Sequence, residues 1–209
     1  MEKRPVNPEW FNYIYRHNLH RMDIVRGFEW LKQLSESLSR IANFGCWNSD
    51  EPFALLWTLD AADVVVIEKE ERHLETPKKT LETLTNTDCM FGRTIEFITA
   101  DMSADIAQLS SDFFDLVYCK DVLYYLYDEP NNHQKLHRAI YQMMRVVRPG
   151  GFVVAVEAKM GAEITCVDPL SEQISGTEDI SPLFERVGLL KIHLDNQPEY
   201  SYCYQKPSN

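Results

Sequence analysis

No stretch of this sequence approaches the roughly 18 consecutive apolar residues of a membrane-crossing helix, and no apolar run follows Met1-Glu2-Lys3-Arg4-Pro5. Neither a leader nor a membrane anchor is expected, and the cytoplasm is the expected compartment. Cysteine is sparse and badly arranged for cross-linking: Cys46, Cys89, Cys119, Cys166 and Cys203 are odd in number and form no Cys-x-x-Cys pair. This excludes a disulfide framework and a zinc ribbon and fits a reducing compartment. Basic residues are also scarce, with 21 Lys and Arg against 32 Asp and Glu and a formal charge of −11. A phosphate-rich surface needs clustered cations, so nucleic acid is a poor partner.

What is present is apolar mass. Hydrophobic residues make up 44% and aromatics 11% of 209 residues, which suits one α/β domain with a modest extension. Charge is uneven: residues 1–40 carry a net of +2 and the remainder −13. A small basic excess of this kind reads as a solvated helix face. Ile24, Phe28, Leu31, Leu34 and Leu38 recur at helical steps, so an amphipathic helix is predicted over 21–39, with a shorter one holding Trp10 to Tyr15. The expected division is a helical extension over 1–39 and an α/β domain over 40–209.

Beyond residue 40 the period changes. Short apolar or β-branched runs at 41–44, 64–67, 95–98, 114–118 and 152–156 read as strands covered on both faces. Helices are predicted from Ser49-Asp50-Glu51-Pro52 to about Leu59, along the face of Leu136, Ile140, Met143, Met144 and Val147, and over Ser181 to Val187. Arg148-Pro149-Gly150-Gly151 is expected to stop the second of these, and 189–194 with 200–205 reads as an antiparallel pair. Such alternation predicts a doubly wound, mostly parallel seven-stranded sheet that binds its ligand at the carboxyl ends of the strands. The weakly periodic stretch 159–177 is read as a mobile loop over that face.

The first strand ends at Gly45 and the second at Glu68, 23 positions on. A glycine there admits a ligand to the backbone, and a carboxylate about twenty residues later can accept both hydroxyl hydrogens of a ribose. Turn glycine and solvated acid are the plain alternatives. Gly45-Cys46-Trp47-Asn48-Ser49 lacks the further glycines of a pyrophosphate cradle, and Asp50 and Glu51 put negative charge where a phosphate would sit. A dinucleotide is disfavoured. A nucleoside bearing a sulfonium and an ammonium, S-adenosylmethionine, suits acidic surroundings.

These residues resemble the class I S-adenosylmethionine-dependent methyltransferase family over about residues 40–205. Arg40 to Cys46 is similar to the family's first motif, although Trp47 and Ser49 stand where glycine is common. The resemblance implies that Gly45 and Cys46 border the cofactor, that Glu68 binds the ribose, and that Asp101 and Met102 meet the adenine. The segment Phe114 to Leu123 resembles the fourth-strand motif, which places Cys119 beside the cofactor and Asp121 near the methionine end or the acceptor. Arg145 to Gly151 resembles the motif before the fifth strand. Asp50-Glu51-Pro52 and Cys119 to Leu126 carry a partial local likeness to chemoreceptor glutamate methyltransferases.

Each assignment has a structural alternative. Asp101 could cap a following helix, Cys119 reads as a small buried residue ahead of a nucleophile, and Asp121 could be a loop acid. His133 and His137 read as helix surface, and Trp10, Phe11, Tyr13 and Tyr15 as core contacts or an aromatic lid. Methyl transfer from a sulfonium is an in-line displacement whose main need is positioning. Where the acceptor must lose a proton, Asp121, Glu157, His17 and His20 are the candidate bases, and the sequence does not choose among them. The absence of an Asn/Asp-Pro-Pro-Tyr stretch and of a Pro-Cys pair argues against methylation of nucleic-acid bases, and with the acidic charge a small-molecule acceptor is expected, a protein side chain being the alternative. A non-catalytic protein of the same fold, suggested by bulky Trp47, and a nicotinamide-dependent oxidoreductase are the rival readings.

Overall fold

The computed structural model describes residues 28–34, 38–88, 90, 92–104, 106–127, 133–157, 180–198 and 201–208. One sheet contains β1 (Arg40–Phe44), β2 (Asp63–Glu68), β3 (Thr94–Thr99), β4 (Phe114–Lys120), β5 (Val147–Val156), β6 (Leu190–Lys191) and β7 (Ser201–Gln205). Its order is β3-β2-β1-β4-β5-β7-β6. The strands from β1 to β5 pair in parallel, while β7 runs antiparallel to both β5 and β6. The helices are α1 (Glu51–Thr58), α2 (Glu75–Asn86), α3 (Leu123–Tyr127), α4 (His133–Val146) and α5 (Ser181–Arg186). This is the expected fold class.

The two-residue period of the strands separates two cores. Ile41, Val64, Val66, Leu116 and Val154 face α1, whereas Ala42, Phe44, Val117, Cys119 and Val153 face α4 and α5. The inner side of α4 is set by Leu136, Ala139, Ile140 and Met143, all fully buried. Full burial of a Leu, Ile or Met side chain contributes about 1.5–3 kcal/mol, so this helix is held on the sheet chiefly by that stripe.

Three expectations need correction. Within the predicted 21–39 helix, the described residues form a 3-10 turn, Glu29–Gln33, with Phe28, Leu31, Leu34 and Leu38 buried in the α1-side core. The spacing therefore identified the buried side chains but not the helix type. The rest of that segment, the Trp10–Tyr15 helix and the 159–177 loop lie outside the described residues. At the end of α4 the chain enters β5 at Val147, and Arg148-Pro149-Gly150-Gly151 belongs to the strand. Gly151 permits this, because a Cβ there would lie 2.9 Å from the Asp115 carbonyl oxygen on β4. At α1, Asp50 occupies the N-cap position without a side-chain capping bond. Its Oδ1 instead accepts from the Thr80 hydroxyl at 2.9 Å, which ties the start of α1 to α2.

At the amino end of β1, Asp115 Oδ2 accepts from the amides of Ser39 and Arg40, both at 2.8 Å, and Asp115 Oδ1 accepts from Arg148 Nε. One carboxylate thereby joins β1, β4 and β5. Asp115→Ala is expected to cost about 2 kcal/mol of unfolding free energy in urea titrations, since the lost bonds are charge-assisted but partly exposed. An unchanged midpoint and slope would remove Asp115 from that role.

The sheet positions the site. From β1 the chain steps outward through β2 and β3, then returns to add β4 and β5 on the other side of β1. The β1/β4 boundary is thus the switch point of the topology, where adjacent connections leave in opposite directions and a cleft opens at the carboxyl ends.

Candidate functional site

The cleft is built from the turns after β1, β2, β3 and β4. Gly45 follows β1 at φ +76°, and its amide donates to the Ile67 carbonyl at 2.7 Å. A Cβ at Gly45 would stand 2.5 Å from Val122 Cγ2, so the turns after β1 and β4 meet through a contact that only glycine allows. Trp47 and Asn48 continue the turn with φ of +40° and +50°, and Asn48 Oδ1 accepts from the Thr76 amide at 2.9 Å. The loop is thereby pinned to the start of α2.

The Gly45–Val122 contact partitions the cleft. A cavity of about 610 Å³ is lined by Gly45, Cys46, Trp47, Glu51, Glu68, His73, Asp121 and Tyr125, with Lys69, Glu70 and Lys120 among the further residues. A smaller one of about 270 Å³ is lined by Gly45, Ile67, Glu68, Lys69, Asp101 and Met102 with Val122 and Tyr125. Gly45, Glu68, Lys69, Val122 and Tyr125 border both. Together they have the size and the mixed polar and apolar lining of a small-molecule site.

Glu68, at the tip of β2, is buried. Its Oε2 accepts from the amides of Cys46 and Trp47, each at 3.2 Å. Its Oε1 accepts from the Glu70 amide at 3.2 Å and lies 3.4 Å from His73 Nδ1. The carboxylate organises the glycine turn while facing both cavities. Asp101 lies at the far end of the smaller cavity. Its Oδ1 accepts from the Ser103 amide at 2.8 Å and the Ser103 hydroxyl at 2.7 Å, and its Oδ2 lies 3.6 Å from Lys69 Nζ. Burial alone would raise its pKa, but the Ser103 bonds and the Lys69 charge outweigh burial and hold the carboxyl below its ordinary value. Asp101 thus makes a local turn and lines the cavity.

Asp121 sits just past β4 at φ +52°, its amide donating to the Val156 carbonyl at 2.8 Å. It lines the larger cavity, and its Oδ1 is buried with no hydrogen-bond partner. Glu157, at the end of β5, accepts from the amides of Val122 at 3.3 Å and Leu123 at 3.0 Å. It fixes the turn that carries Asp121 and lines neither cavity.

Cys119 departs from the expectation. It is fully buried on the α4 side of the sheet, shares that face with Val117, and lines neither cavity, so its side chain belongs to the core. Burial, reinforced by the charges of Glu157, Glu51 and Asp121, pushes its thiol well above the ordinary range. Cys46 does line the larger cavity, but burial, with Glu68 and Glu51 adding to it, pushes its thiol up to about 12. Neither is an activated thiolate. His137 is exposed, while His17 and His20 lie outside the described residues.

Several site residues went unassigned at the level of sequence. Glu51 is buried at the head of α1, with Oε1 accepting from Asn43 Nδ2 at 2.9 Å. Across the mouth of the larger cavity, Trp47 stacks on His73 with ring centroids 5.0 Å apart and on Tyr125 at 6.1 Å. The indole is 63% exposed, so it roofs the cavity without filling the bend at Gly45.

Comparison with known proteins follows this geometry. The family described as "Methyltransferase domain" matches residues 43–155, more than half of the chain. The chain belongs to that methyltransferase-domain family. Among solved structures, an S-adenosylmethionine-dependent methyltransferase from Aquifex aeolicus is similar at a TM-score of 0.62 and 12% identity, covering 96% of this chain and 98% of that one. The N-methyltransferase NodS from Bradyrhizobium japonicum WM9 is similar at 0.60 and 16% identity, covering 93% and 99%. A TehB-like S-adenosylmethionine-dependent methyltransferase from Corynebacterium glutamicum gives 0.57 and 15%, covering 96% and 100%. At these identities the likeness is one of fold. No match is found among curated protein sequences. The narrower likeness to chemoreceptor glutamate methyltransferases is not shown by these comparisons. No helix among the described residues is long and apolar enough to cross a membrane.

Proposed function

We propose that this protein is an S-adenosylmethionine-dependent methyltransferase acting on a small-molecule acceptor. The observation that carries the reading is the convergence of Gly45, Glu68 and Asp101 on one partitioned cleft at the switch point of a methyltransferase-family sheet. The residues fit the cofactor. Glu68 would take the ribose hydroxyls, Asp101 and Met102 the adenine, and the turn at Gly45 and Cys46 the methionine end. The cofactor supplies an electrophilic methyl group on a sulfonium. The chain's own contribution is to position the acceptor, exclude water beneath the aromatic roof, and receive a proton at Asp121 where the acceptor carries one. The bend left open beside Trp47 counts against a non-catalytic reading, and the missing glycine cradle against a nicotinamide cofactor.

Calorimetry with S-adenosylhomocysteine, and NAD as the control, tests this directly. Binding of the first alone is expected; a response to NAD only, or to neither, would overturn it. Glu68→Ala is expected to weaken S-adenosylhomocysteine by about 1–3 kcal/mol, or roughly 5- to 150-fold, through lost charge-assisted bonds and a loosened turn. Unchanged affinity would take Glu68 out of the cofactor site.

A further inference from the structure

Part of the larger cavity's lining has no task in holding a nucleoside: Asp121 and Glu51, and the rings of Trp47 and Tyr125. Asp121 Oδ1 is buried and unpaired. Such an orphaned acceptor oxygen is costly to bury unless a donor arrives. Asp121 is moreover held in a left-handed conformation by the bond of its amide to Val156, a strain that a non-glycine residue keeps only under constraint.

The lining is also aromatic. Trp47 and Tyr125 stack with ring centroids 6.1 Å apart at 24° between planes and are 63% and 43% exposed. Carboxyl groups and aromatic rings lining one cavity attract a cation. The remaining charges do not reverse this. Lys69 is paired with Asp101, Glu70 with Arg72, and Lys120 faces Glu51. Glu68 and His73 complete the lining on the β2 side.

Resting on the methyltransferase reading, we infer that the acceptor is an amine, bound as its ammonium ion by Asp121 and covered by Trp47 and Tyr125. A hydroxyl would bring one donor to this lining and no charge. An ammonium brings up to three donors and a charge, and one of its protons can pass to Asp121 Oδ1 to free the nitrogen lone pair.

The test uses the full chain saturated with S-adenosylhomocysteine and titrated with 2-phenylethylamine or 2-phenylethanol, followed calorimetrically and by ligand-observed NMR. The amine is expected to bind at least about tenfold tighter than the alcohol. Asp121→Asn should shrink that preference to below about threefold, with S-adenosylhomocysteine affinity within about twofold of the parent. Trp47→Leu should weaken the amine more than the alcohol. Equal affinities in the parent protein, or no detectable amine binding at about 10 mM, would overturn the inference. So would Asp121→Asn weakening S-adenosylhomocysteine as much as the amine, since Asp121 would then serve the cofactor. A parent protein that prefers the amine but ignores S-adenosylhomocysteine would refute the cofactor reading and leave the ammonium site standing.

Discussion

Glutamine in place of Glu51 is expected to raise the unfolding free energy by up to about 3 kcal/mol at about pH 8 and to change it little near pH 4. Glu51 is 5% exposed, and its carboxyl Oε1 accepts from Asn43 Nδ2 at 2.9 Å. Burial pushes its pKa from 4.5 to about 7; the bond from Asn43 and the charge of Lys120 oppose that rise, and Asp121 adds to it. The sign follows from proton binding. A carboxyl whose folded pKa lies above its unfolded value is held protonated by the fold, so the folded state binds more protons between the two values. Stability therefore falls as pH rises from about 4.5 to about 7, and the full penalty persists above that. Glutamine keeps the oxygen that accepts from Asn43 and cannot ionise. Urea titrations of both proteins across this range decide the matter: parallel pH profiles would mean that Glu51 is not desolvated.

Gly45→Ala should cost about 2–5 kcal/mol and abolish measurable binding of S-adenosylhomocysteine. The left-handed backbone at φ +76° costs an alanine about 1–2 kcal/mol. The remainder, about 1–3 kcal/mol, comes from overpacking against Val122 Cγ2 at 2.5 Å and Cγ1 at 3.4 Å. Valine is β-branched and stiff, and the Val122 amide is tied to Glu157, so the isopropyl group cannot swing aside freely. Since Gly45 and Val122 border both cavities, any shift narrows them. The double variant Gly45→Ala/Val122→Ala isolates the two causes. It should recover the overpacking share and retain the backbone share. A double variant no more stable than Gly45→Ala would show that Val122 is not the obstacle.

The parallel sheet was legible because β-branched and apolar runs such as Val64 to Ile67 have one physical solution, burial on both faces. The Gly45-to-Glu68 spacing was legible because it reflects the length of one strand-helix-strand unit. α2 was not read, since only Pro77, Thr80 and Leu84 of its twelve residues are buried, too sparse for a helical stripe. Glu51 read as a first-turn acid facing the helix dipole, and nothing local to the sequence reveals that the cleft closes over it. The roof is illegible for a different reason: Trp47, His73 and Tyr125 come from three separate connections between strands, and only the pairing of β1 with both β2 and β4 brings them together. Cys119 was expected beside the cofactor from motif position, whereas the alternation of strand faces turns its side chain into the core.

The placement of β7 between β5 and β6 bears on how the chain reaches its native state. β6 precedes β7 along the polypeptide, yet it pairs only with β7, through Leu190 with Gln205 and Lys191 with Tyr204. During synthesis, β5 must therefore wait with an unsatisfied backbone edge until residues 201–205 have left the ribosome, and β6 has nowhere to dock before then. A nascent chain stalled between these two segments would offer that edge to any neighbouring extended polypeptide, which makes the interval the point of greatest demand for chaperone protection.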